Sequence, residues 1–264
     1  MPAGLKRNFW VGIEKTADCF TDLVMVENPF DYQMYLDLGI VKKEKLSVQG
    51  NGIDLSRFNP GKVRQADVEK LRADLKIAKS AKVIGIVARF VFDKGYLELL
   101  TAFKELLQKY PDLCLVAAVL DLPSERGTVP EDLPAQMGIA DHLILLKNRK
   151  DMENIYSLFD VFALPTHRDC FPRSLIEAAA MQKPIVASDL PGCRVVVENE
   201  KTGLLVPAKD PKALANALER LLENPGFAKE LGANARQFAL ENLDEQKICQ
   251  KILDCYQTLL ENKK

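Results

Sequence analysis

The stretch Val161–Met181, VFALPTHRDCFPRSLIEAAAM, is the strand–loop–helix unit on which the fold turns. Val161 to Leu164 is wholly apolar, and a short apolar run bounded by turn residues reads as a strand buried on both faces. Pro165 closes it, a polar loop follows, and Pro172 opens a helix, because its fixed φ and missing N–H suit a first helical turn. The N–H groups around Arg173, Ser174 and Leu175 are expected to lack intrahelical partners and to point at the strand's carboxyl edge. Together with the helix dipole they favour a phosphate. Glu177 stands about one turn in, where a carboxylate can accept both hydroxyls of a ribose. Asp169 lies in the loop before it. Taken alone, the segment fits equally a helix with a surface glutamate and a turn aspartate.

Similar apolar, β-branched runs recur at Val83–Ala88, Leu113–Val119, Leu143–Leu146, Pro184–Ala187 and Gly203–Val206. Helical periodicity lies between them. In Gly95–Tyr110, Leu100, Phe103, Leu107 and Tyr110 share a face; in Pro211–Glu223, Leu214, Leu218 and Leu221 do, with Asp210 as N-cap. Continuous apolar strands alternating with helices predict an α/β fold, a doubly wound Rossmann-like parallel sheet with helical termini. Ligands in such folds bind at the carboxyl ends of the strands.

The ends differ. Lys6–Asp22 reads as a helix, Leu23–Val26 as a strand and Pro29–Leu38 as a helix, too few residues for a second core. Asn51-Gly52 and Ser56–Gly61 read as a linker. Pro225–Lys264 is helical, with Ile248, Ile252, Cys255 and Leu259 forming an apolar stripe.

Composition narrows the function. Of 264 residues, 47% are hydrophobic and 28% charged, as in ordinary globular proteins. Lys+Arg 36 against Asp+Glu 37 gives a net charge of -1, which argues against a nucleic-acid partner. The longest apolar run, Leu113–Leu120, is too short to span a bilayer, and MPAGLKRNFW lacks a signal peptide's apolar core. The six cysteines show no C-x-x-C pair, and the two histidines are far apart, so a cytoplasmic, reduced, metal-poor protein is expected. Cys114 and Cys249 sit in apolar patterns and are expected to be buried thiols.

A second constellation is Ala88-Arg89-Phe90-Val91-Phe92-Asp93-Lys94-Gly95. A strand ends at Arg89, and Lys94-Gly95 opens the next helix, where a cation opposes the dipole. An anionic ligand would explain that lysine; a solvated loop lysine is the alternative. Two cations at this edge could neutralise a diphosphate without a metal.

Both segments, in this order, resemble the carboxyl-terminal, donor-binding half of the GT-B retaining glycosyltransferases of family 4, the glycogen-synthase-like "glycosyl transferases group 1". Asn51-Gly52-Ile53-Asp54 with Phe58-Asn59-Pro60 is similar to the family's interdomain linker, Arg89 with Lys94-Gly95 to its diphosphate pair, and Asp169–Glu177 to its E-x7-E motif. Pro191-Gly192-Cys193-Arg194, Thr202–Pro207 and Asp210–Leu214 resemble its closing signatures. The wording Phe171-Pro172-Arg173-Ser174 is close to members that build polysaccharide or lipid-linked oligosaccharide.

The resemblance implies roles. Arg89 and Lys94 would hold the donor diphosphate and stabilise the leaving group. Glu177 would bind the ribose, and Asp169 would contact the transferred sugar, with the Phe171–Leu175 backbone nearby. The donor would be a nucleotide-diphosphate sugar, a UDP-sugar first among the candidates. The acceptor would be a sugar or lipid-linked sugar, and neither cofactor nor metal would be needed. Residues 1–50 would be a remnant of an acceptor domain, 51–62 the linker, 63–225 the donor-binding domain and 226–264 closing helices. A separate acceptor-domain polypeptide could complete the cleft, and a lipid-linked acceptor would bring the chain to the inner membrane face. Loop position puts Lys147–Lys150 near the nucleobase.

The sequence also departs from the family pattern. Asp169 replaces glutamate, Ala88 and Gln182 replace glycines, Lys147 stands where a glycine commonly ends the third strand, and Val195 replaces an acid. The G-x-G usual after the second strand is absent from Val119-Leu120-Asp121. A non-catalytic sugar-nucleotide-binding or interaction module therefore stays open, as does a GT-B-shaped epimerase. A nicotinamide dehydrogenase lacks its G-x-G-x-x-G.

Overall fold

A computed structural model describes residues 4–120 and 127–261; Asp121 of the second-strand departure and the last residues of the closing segment lie outside them. Along the chain the strands are β1 (Val24–Val26), β2 (Leu46–Val48), β3 (Val83–Val87), β4 (Cys114–Val119), β5 (Leu143–Lys147), β6 (Val161–Leu164), β7 (Ile185–Ser188) and β8 (Leu204–Val206). The helices are α1 (Leu5–Asp18), α2 (Pro29–Asp37), α3 (Gln65–Asp74), α4 (Tyr96–Leu107), α5 (Leu133–Gln136), α6 (Met152–Leu158), α7 (Arg173–Ala180), α8 (Pro191–Arg194), α9 (Pro211–Glu223), α10 (Pro225–Asn242) and α11 (Glu245–Glu261). Two compact units result, one of residues up to Gly52 with those from Glu245 on, the other Ile53–Asp244.

In the larger unit six strands form one parallel sheet in the order β5-β4-β3-β6-β7-β8. Each strand alternates its side chains between two core layers. In β4, Cys114, Val116 and Ala118 enter one layer, and Leu115, Ala117 and Val119 the other. Buried residues of α4 and α9 pack in the second layer and those of α3, α6 and α7 in the first, while α10 gives Ala228 and Leu231 to the second and Ala235 and Ala239 to the first. The doubly wound sheet of the sequence reading is thus present. Strand order reverses direction between β3 and β6, so a crevice opens beyond their carboxyl ends.

Local signals account for most boundaries. Asp210 caps α9 by accepting the Ala213 N–H at 2.9 Å, and Leu214, Leu218 and Leu221 are all buried. Helix α4 stops at Leu107, so Tyr110 lies beyond the helix whose face it was expected to share. Helix α3 goes unmarked in the sequence because only Val68 and Leu71 of its ten residues are buried.

In the smaller unit β1 and β2 pair in parallel. Val26, Ile40, Val41 and Leu46 are buried around them, a small core where the sequence suggested none. On α11 the stripe Ile248, Ile252, Cys255 and Leu259 is half-buried. Cys249 is exposed, not buried as expected, because its place next to Ile248 turns it about 100° off that stripe; Cys114 is buried. Phe9, Trp10 and Phe20 are exposed.

Candidate functional site

Two loops at the sheet's switch point are stitched together by backbone contacts. After β3 the chain passes Ala88 and Arg89, makes a short 3-10 turn over Phe92–Lys94, and reaches Gly95 at φ +76°. That left-handed conformation favours glycine, and a Cβ there would lie 1.9 Å from the Pro165 carbonyl oxygen at the end of β6. The Asp93 carbonyl accepts the His167 N–H at 2.8 Å and the Thr166 hydroxyl at 3.1 Å. From the other side Gly192 abuts the same loop: its Cβ would stand 2.2 Å from the Asp169 carbonyl oxygen.

This stitching brings Lys94 to Asp169. The ammonium and carboxylate are 2.6 Å apart, with side chains 15% and 19% exposed. The cation that opposes the α4 dipole is therefore compensated by a carboxylate of the protein itself.

A pocket of about 380 Å³ opens beside the pair. Arg89, Lys94, Asp169, Pro172, Arg173, Ser174 and Glu177 line it, so it gathers most of the residues singled out from sequence. Phe171 and Leu175 do not reach it with their side chains, which are buried in the core under α7. Leu175 also fails as an amide donor. Its N–H is bound to the Pro172 carbonyl at 3.0 Å in a tight first turn, so Arg173 and Ser174 carry the amides at the very start of the helix.

Glu177 is a buried carboxylate with two protein partners. Tyr156 donates its hydroxyl to Oε2 at 2.9 Å, and Arg173 reaches Oε1 at 3.3 Å. Burial pushes the Glu177 carboxyl above its ordinary range, while Tyr156 and Arg173 pull it back down. Nearby, burial raises the Cys193 thiol to about 12, aided by Asp169.

The pocket contains a further cation that sequence reasoning did not single out. Arg149 lines it from the loop after β5, bound to Asp151 at 2.7 and 2.5 Å. It falls inside the basic stretch Lys147–Lys150, which was the only signal for it; Lys147 itself pairs with Glu131 at 2.5 Å. Four cations thus face two carboxylates, Asp169 and Glu177, and the local balance suits a polyanion. Among the described residues no group of three or more His, Cys, Asp or Glu side chains is placed to hold a metal ion.

Sheet order, interlocked loops and a cationic pocket at the switch point define a doubly wound α/β protein whose pocket suits an anionic ligand. Residues 67–238 match the model of the family Glycosyl transferases group 1, and the chain belongs to that family. It is 34% identical over 214 residues to a D-inositol 3-phosphate glycosyltransferase of Corynebacterium urealyticum, covering 77% of this chain and 50% of that protein. It is 28% identical over 247 residues to the capsular polysaccharide biosynthesis glycosyltransferase CapM of Staphylococcus aureus, covering 92% and 63%. Among solved structures, HepE of Anabaena, in complex with UDP-glucose, superposes with a TM-score of 0.83 at 24% identity, over 92% of this chain and 65% of that one. That likeness establishes the GT-B glycosyltransferase fold. The chain spans about half to two-thirds of the length of these relatives.

Proposed function

We propose that Ile53–Asp244 is the donor-binding module of a retaining glycosyltransferase of family 4. It takes a sugar from a nucleotide-diphosphate sugar and passes it to a polysaccharide or lipid-linked acceptor. The observation that carries this reading is the convergence of Arg89, Lys94, Arg173 and Glu177 on one pocket at the switch point. Arg89 and Lys94 hold the diphosphate and neutralise the charge that develops on it as the sugar leaves. The N–H groups of Arg173 and Ser174 in the first turn of α7 add to that field, Glu177 accepts the ribose hydroxyls, and Asp169 contacts the sugar.

Transfer needs a second wall that brings in the acceptor. The exposed Phe9, Trp10 and Phe20 of the smaller unit suit burial against an acceptor-binding domain, on the same or a separate polypeptide. The test is to supply an acceptor domain of a relative with UDP-, ADP- and GDP-sugars and to follow the product's anomeric proton by NMR. Transfer with the donor's configuration kept supports the reading; inversion removes the retaining assignment.

A second reading has an observation of its own. Asp169 is one methylene shorter than the family's glutamate, and Lys94 already holds its carboxylate. These features favour a module that binds sugar nucleotides without transferring them. If Asp169→Glu gives no gain in transfer with an acceptor domain present, this second reading stands.

A further inference from the structure

Tyr156 is the neighbour of Glu177 that neither the motifs nor the family match assigns. Its ring is fully buried among Phe58, Phe159 and Phe162, at centroid distances of 6.2, 5.5 and 5.7 Å. The ring is therefore held in place, and its hydroxyl reaches two acceptors. Glu177 Oε2 lies at 2.9 Å and the Ser174 carbonyl at 3.1 Å. A phenol has one proton to give, and an ionised carboxylate is the stronger acceptor. Burial and the neighbouring Glu177 raise the phenol well above its usual 10, so Tyr156 is a neutral donor throughout the working range.

We propose that Tyr156 is a positioning residue for the donor nucleotide: by holding Oε2 it fixes the Glu177 carboxylate, keeps it ionised and turns its remaining lone pairs to the vicinal hydroxyls of the ribose. This rests on the nucleotide-binding reading of the pocket. Without the phenol, Glu177 keeps the cost of burial and loses one of the groups that offset it.

The charged groups around Glu177 are Arg173 on its own helix, Arg57 ahead of α3, Arg89 and Lys94 after β3, Arg149 after β5 and Asp169 after β6. On α10, Arg236 is engaged with the Phe58 and Ala180 carbonyls.

The experiment compares wild type with Tyr156→Phe, which keeps the ring and its packing. The Glu177 carboxyl is titrated by carbon-13 NMR, and binding of UDP, ADP and GDP is measured beside their 2′,3′-dideoxy forms. The expected result is a higher Glu177 pKa in the variant and about tenfold weaker binding of a ribonucleotide at pH 7. The loss should grow towards pH 6, and the dideoxy form should bind both proteins equally. In a Glu177→Gln background, Tyr156→Phe should add no further loss. An unmoved Glu177 titration, or equal weakening of both nucleotide forms, overturns the proposal. If no nucleotide binds wild type, the pocket reading fails, while the carboxyl titration still decides whether Tyr156 governs Glu177.

Discussion

Lys94 Nζ lies 2.6 Å from Asp169 Oδ2, and the pair joins the loop after β3 to the loop after β6. A bound diphosphate must therefore share this ammonium with Asp169. Asp169→Asn leaves the loop geometry in place and releases Lys94. It should bind a nucleoside diphosphate more tightly, by about two- to fivefold, while the sugar adds less to affinity than in wild type. Calorimetry with the diphosphate and its sugar conjugate checks this, and weaker diphosphate binding would show that the pair does not compete with the ligand.

Gly95→Ala should destabilise the larger unit by roughly 2–4 kcal/mol, since it adds a Cβ against the Pro165 carbonyl at a left-handed position. The clash falls beside Lys94, so nucleotide binding should weaken even where the protein stays folded. Urea melts beside binding isotherms separate the two effects.

Helix α7 ends in a Schellman turn. The Gln182 N–H reaches the Ala179 carbonyl at 3.0 Å and the Lys183 N–H reaches that of Ala178 at 2.9 Å, with Gln182 at φ +58°. The family's glycine suits that position, and the Gln182 side chain is exposed. Gln182→Gly should therefore raise stability by about 0.5–1 kcal/mol. A lowered melting temperature would contradict this account of the turn.

Glu177 should be costly to the fold and needed by the ligand. Its folded carboxyl titrates above the unfolded one, so the unfolded chain releases this proton first as pH rises. The contribution to stability is then fully present below the unfolded pKa and falls as pH climbs through the folded one. Glu177→Gln should leave the protein at least as stable at pH 7 while weakening ribonucleotide binding about tenfold. A variant that is less stable and binds as wild type would reverse both assignments.

Cys170 is exposed beside Asp169, whereas Cys193 is buried with its thiol raised to about 12. Peptide mapping after iodoacetamide should find Cys170 modified and Cys193 intact, with a bound sugar nucleotide slowing the reaction at Cys170. Unchanged labelling in the presence of a bound donor would place the sugar away from this loop.

The sheet was legible because its strands are apolar on both faces, so β3 to β8 stand out as runs without needing a periodicity. The loops that meet at the switch point were legible because glycine, proline and cations punctuate strand ends. Other features leave no such trace. Tyr156 reads as one more apolar position of α6, since nothing local says that its hydroxyl meets Glu177 across the fold. Arg149 is one of several basic residues after β5, and only the folded loop shows which one enters the pocket. The bond from the Leu175 N–H to the Pro172 carbonyl is equally illegible, since residue types do not reveal whether a first helical turn closes tightly. At the end of β5, beside Lys147, the left-handed position is held by Asn148 at φ +53°, a type that tolerates this conformation.

The most direct test of the donor-site claim is a calorimetric titration of UDP-, ADP- and GDP-sugars into the wild-type chain and into Arg89→Ala and Lys94→Ala. The account predicts one-to-one binding of at least one sugar nucleotide to wild type and a loss of about tenfold or more in each variant. Folded wild type that binds none of them, or variants that bind as well as wild type, would contradict it.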